Sequence, residues 1–137
     1  MRSFLRLALL LVPLVLLHAC DSGGDDDSRI GITGRWAGSY VSKIDPNQTI
    51  DVVLELQDDG VNVIGTGSLT SPTETLPFSI PAGLRAGAKM SLTVFYERPP
   101  QGQINGLVSD DFREIRSVSI SGPGFANSTN LTLNRAD

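Results

Sequence analysis

The chain has 137 residues, 40% of them hydrophobic and 19% charged, with a formal charge of −4 at pH 7, one cysteine and one histidine. That length suits one domain, and a single cysteine cannot close an internal disulfide. An acidic chain with no basic stripe lacks the electrostatic footprint of a nucleic-acid binder, which disfavours that class.

In chain order, the first segment reads as a secretion signal. Arg2 and Arg6 form a cationic start, and Leu7 to Leu17 is an apolar run of h-region length. The run is too short to cross a bilayer, which takes about 20 apolar residues, and Pro13 would kink a permanent helix. Leu17-His18-Ala19-Cys20 closes the run. This stretch resembles the lipobox of bacterial lipoproteins, with Leu17 and Ala19 carrying the match. The resemblance implies that the Cys20 thiol is acylated and the bond before it cut, placing the protein in the bacterial cell envelope on a membrane anchor. A conventional signal cut at a small residue, leaving a free thiol, is the other reading of the same residues.

The expected organisation is therefore a signal peptide over 1–19, a flexible acidic tether over 20–31 and one domain over 32–137. Asp21 to Ser28 holds only Gly, Ser and Asp, with nothing to bury. Asp21 matches the rule for inner-membrane retention of lipoproteins in enteric bacteria, and Asp25-Asp26-Asp27 resembles an acidic surface-export signal of other Gram-negative groups; a plain solvated tether is the third reading. Loss of residues 1–19 removes His18, so the mature chain has no histidine. Ser-His-Asp and Cys-His nucleophiles and histidine-ligated zinc are then excluded, and no catalytic residue, metal or cofactor is expected. Without Arg2 and Arg6 the eleven basic residues become nine against fifteen acidic ones, a balance of −6.

Beyond Ile32 the pattern is that of short strands. Gly34 to Lys43 is the first. In "TIDVVLELQDDGVNV" Ile50, Val52, Leu54 and Leu56 alternate with more polar neighbours, the period of a half-buried strand. Asp59-Gly60 predicts a two-residue type I′ turn, with Val61 and Val63 on the return strand. Further strands are expected at about 74–81, 88–97, 102–109, 113–121 and 128–135, separated by "AGLRAGA", "RPPQG" and "GPGFANS" as turns and loops. Eight such strands without a helical stripe predict an all-β fold, an eight-stranded antiparallel up-and-down β-barrel, because closure removes exposed edges. A β-sandwich is the alternative.

Gly34 and Trp36 begin the first strand, and Arg135 ends the last on the same inward face as Leu131 and Leu133. This pair of ends resembles the lipocalin, avidin and fatty-acid-binding (calycin) barrels. The resemblance implies that Trp36 packs under Arg135 to close one barrel end, with Gly34, Trp36 and Arg135 as the closure residues; a plain core aromatic is the other reading of Trp36.

The expected inward set runs from Trp36, Tyr40, Leu54, Leu56 and Val63 through Phe78, Ile80, Met90, Leu92, Val94 and Tyr96 to Ile104, Val108, Leu131 and Leu133. That is enough to fill an eight-stranded interior, with Gly38, Gly65, Gly67 and Gly106 as bends on the same face. Asp58, Asp59, Asp110, Asp111 and Glu114 read as exposed turn acids, and the sequons at Asn47, Asn127 and Asn130 as turn and strand residues. The leading expectation is a lipid-anchored, non-enzymatic barrel that meets an envelope protein partner as inhibitor, assembly factor or scaffold. A lipocalin-like carrier of a small apolar ligand is the alternative, and an enzyme working through carboxylates alone the third class. Contact loops are expected at "AGLRAGAK", "ERPPQGQ" and "SGPGFANS".

Overall fold

A computed structural model describes residues 31–136. The signal segment 1–19, Cys20 and the tether up to residue 30 lie outside the described residues. Eight strands follow one another: β1 (Gly34–Val41), β2 (Thr49–Asp58), β3 (Val63–Thr70), β4 (Thr75–Ala86), β5 (Lys89–Tyr96), β6 (Gly102–Val108), β7 (Glu114–Ile120) and β8 (Ser128–Arg135). Each pairs antiparallel with the next, and β8 returns to β1, so the sheet is a closed barrel rather than the alternative sandwich.

Alternation produces the two faces. Along β2, Ile50, Val52, Leu54 and Leu56 are buried while Asp51, Glu55 and Gln57 are exposed, and the same period recurs in β5 and β6. All the buried apolar residues form one cluster, which contains the whole expected inward set and adds Ile32, Ile50, Val52, Leu69, Leu76, Ile115, Val118, Ile120 and Ala126. The inward glycines leave no room of their own. A Cβ on Gly67 would lie 2.4 Å from the Phe78 ring, and one on Gly38 would lie 2.5 Å from the Thr132 carbonyl. Their space belongs to neighbours.

Two turn assignments need correction. The β2–β3 connection is a four-residue loop over 59–62, since Asp58 pairs with Val63. Asp59 Oδ1 accepts the amides of Val61 and Asn62 at 3.0 and 2.7 Å, which fixes the wider turn and leaves Val61 exposed. "AGLRAGA" is not a loop. It is the second half of β4, which continues through a register shift between Ser79 and Ala82 and ends at a two-residue turn, Gly87-Ala88. The shift falls where Pro81 has no amide to donate, so the strand bends there and resumes.

Candidate functional site

The barrel has two dissimilar ends. The first, where the described chain begins, gathers the start of β1 and the ends of β2, β4 and β8. Gly31, Ile32 and Thr33 lead into β1, and Ile32 is fully buried. Gly34 follows with φ of +129°, a conformation open to glycine that lets the chain turn from this strap into the strand.

Trp36 is fully buried, and its Nε1 donates to the Ile32 carbonyl at 2.8 Å. The Arg135 guanidinium carbon lies 4.7 Å from the Trp36 ring centroid, within the range of a cation-π contact. Arg135 spends its donors on three carbonyls: Nε on Phe112 (2.9 Å), Nη1 on Thr33 (2.7 Å) and Nη2 on Gly31 (2.9 Å). Trp36 and Arg135 are also Cα partners in the β1–β8 ladder, whose other partners among the described residues are Ala37 and Asn134. The stack therefore sits where the sheet closes on itself.

A second cation at this end is not visible in the sequence pattern. Arg85 Nε lies 2.6 Å from Asp58 Oδ2, and their side chains are 12% and 0% exposed. Asp58 is thus not an exposed turn acid: it faces the strap, where Oδ2 accepts the Ile32 amide at 3.0 Å and Oδ1 the Gly60 amide at 2.8 Å. Burial works against its charge, but the Ile32 and Gly60 amides and Arg85 outweigh it and hold the carboxyl below its ordinary range. The signal is hidden because a turn over 82–88 gives Arg85 no inward direction. Asp59, Asp110 and Asp111 are exposed as expected, and Glu114 pairs with Arg116.

The opposite end is a crown of four loops, 42–48, 71–74, 97–101 and 121–127. Each is braced by polar side chains. Ser42 Oγ accepts the amides of Ile44 and Asp45, and Ser71 Oγ those of Thr73 and Glu74. Gln101 Oε1 accepts the Tyr96 amide at 2.9 Å, and Asn127 Nδ2 donates to the carbonyls of Gly122 and Gly124. From below, Tyr40 and Tyr96 donate their hydroxyls to the carbonyls of Phe125 and Ser121. Burial raises the pKa of both phenols, that of Tyr40 to about 12, so both stay protonated donors. An ion pair of 2.6 Å between Arg98 and Glu74 ties two of the loops together. Of the three expected contact loops, "ERPPQGQ" and "SGPGFANS" lie in this crown; loops 42–48 and 71–74, which Pro46 and Pro72 mark as turns, join them there without having been expected as contact loops.

On the outer wall, a hollow of about 430 Å³ lies beside Leu84, Met90, Gly106 and Leu107. Among the described residues no three metal-ligating side chains come together. The fold and its closure define a small closed antiparallel β-barrel, an architecture consistent with the calycin type. Comparison with known protein families, with curated proteins and with solved structures found no match.

Proposed function

We propose that the chain is a lipid-anchored protein of the bacterial cell envelope whose barrel acts without catalysis, by contact with another envelope protein. Leu17-His18-Ala19-Cys20 supports the anchor. The observation that carries the contact reading is the occupancy of the interior: the inward face is one apolar cluster, and neighbours take the space beside its glycines. A barrel filled by its own side chains offers its outer surface to partners.

The test is native mass spectrometry of the protein purified from its own host, with fatty-acid labelling alongside. The expected result is a retained protein partner and incorporation of label at Cys20 that Cys20→Ser abolishes, releasing the protein from membranes, because acyl chains contribute about 0.8 kcal/mol per buried methylene. A retained small molecule would overturn the contact reading. One observation favours the carrier alternative: the outer hollow beside Leu84 and Leu107 is largely apolar, and a small apolar ligand would have to sit there rather than inside.

A further inference from the structure

We infer that two copies of this chain pair through the outer wall of β3, β4, β5 and β6, about a two-fold axis that crosses β5 at Thr93. The inference goes beyond the envelope-partner reading and does not depend on the anchor. Only two residues of these four strands are charged. One of them, Arg85, turns inward to Asp58, which leaves Lys89 as the single charge on the wall. By contrast, Arg35, Asp51, Glu55 and Arg116 are exposed on β1, β2 and β7.

Apolar exposure follows the same boundary. Of the seven large apolar side chains exposed among the described residues, Ile64, Leu84, Phe95 and Leu107 lie on this wall. Val61 lies on its rim, where its carbonyl accepts the Arg85 amide. Depletion of charge together with clustered apolar side chains is the composition of an interface core.

Charge and register together identify the occupant. An uncharged wall offers no ion pairs to a charged surface, so its counterpart is uncharged as well, and the chain itself carries one such face. The outward residues of β5 are Lys89, Ser91, Thr93 and Phe95, and the alternation brings the exposed Glu97 next. An axis across the strand at Thr93 exchanges the positions on its two sides. Phe95 of each copy then falls over Ser91 of the other, at the edge of the outer hollow of about 430 Å³ that Leu84, Ser91 and Leu107 line. Lys89 of each copy meets Glu97 of the other. An axis along the strand would instead set Lys89 against Lys89 and Glu97 against Glu97, so charge selects the crossing axis. Knob and hollow, cation and anion all lie on one face, the self-complementarity that a two-fold contact needs.

The area is sufficient for a weak dimer. Four strands of about eight residues give a wall of roughly 20 by 26 Å. Two copies would bury on the order of 1,000 Å², the lower bound for a specific interface, which corresponds to a micromolar rather than a nanomolar Kd.

The experiment uses the Cys20→Ser chain, which has no other cysteine. In analytical ultracentrifugation it should pass from monomer to dimer as its concentration rises through the micromolar range. Phe95→Asp and Lys89→Glu should each raise the Kd about tenfold or more, with the unfolding temperature of the monomer unchanged. Glu97→Lys added to Lys89→Glu should restore the dimer. Facing sheets lie about 10 Å apart, beyond the reach of a disulfide, so Thr93→Cys should be joined into a covalent dimer by a short bismaleimide. Ser39→Cys, exposed on β1 across the barrel, should not. A monomer at every concentration would overturn the inference and leave the wall to another protein. It would equally be overturned by a dimer that survives Phe95→Asp, by equal linking from positions 39 and 93, or by a charge reversal that the second reversal fails to restore.

Discussion

Asp58 and Arg135 hold the same three-residue strap by different chemistry, one with a carboxylate that accepts the Ile32 amide and the other with two charge-assisted bonds to the Gly31 and Thr33 carbonyls, its third bond going to Phe112. Trp36→Ala should cost about 3 to 5 kcal/mol, the usual loss for a fully buried aromatic. Arg135→Ala should also destabilise, and the double mutant should lose less than the sum, because the two residues share one contact; additive losses in chemical denaturation would contradict the stack. Asp58 makes a second case, with its own pH signature. Its folded pKa is depressed, so its stabilisation is present above the unfolded carboxylate pKa of about 3.9 and is lost as pH falls through the folded value. Asp58→Asn should therefore melt well below the wild type at pH 7, where it leaves the partly buried Arg85 without its carboxylate. The two should converge towards pH 2. Thermal melts across that range check the point, and a gap that stays constant would show that the charge is not responsible.

At the scale of elements, the readable part of the sequence is the alternation, and the unreadable part is wherever a strand bends. β2, β5 and β6 follow a period of two without interruption, so their inward residues are legible from the amino-acid pattern alone. β4 reads as shorter than it is because Pro81, Ala82, Gly83 and Gly87 carry the composition of a turn; tertiary pairing with β5 overrides it, matching Gly83 to Leu92 and Arg85 to Met90. With β4 shortened, Arg85 has no visible inward direction, and Asp58 passes for a turn acid. Trp36 and Arg135 are legible through a resemblance, but the carbonyls that receive Arg135 come from Gly31, Thr33 and Phe112, which no spacing rule connects. The glycines offer a test at this scale. Gly67→Ala would set a methyl 2.4 Å from the Phe78 ring and 2.7 Å from the Val53 carbonyl, an overpacking that should cost about 1 to 3 kcal/mol. Phe78→Leu in the same chain should restore part of that loss by removing the ring, and only part, since the carbonyl stays. Full tolerance of Gly67→Ala would mean that the interior has slack.

For the whole molecule, the question is whether a closed barrel with a braced crown and a latched strap also carries cargo. A ligand stabilises a fold only through the native state that binds it, by about 2.7 kcal/mol at a hundred times its Kd. In a domain of this size each kcal/mol moves the unfolding temperature by roughly 4 to 8 degrees, so even a modest ligand would be seen. The inward face here is a single apolar cluster in which the largest fully buried side chains are Trp36, Ile32 and Ile50, and the described residues place no charged group among them except at the strap end, where Asp58 is matched to Arg85 and Arg135 to carbonyls. The Cys20→Ser protein should therefore unfold at the same temperature with and without micromolar fatty acids, haem or an apolar fluorescent probe. A rise of several degrees that Gly67→Ala abolishes would put the ligand inside the barrel and make the carrier reading the better one. A rise abolished instead by Leu84→Asp would place it in the outer hollow, beside Met90 and Leu107, with the filled core intact.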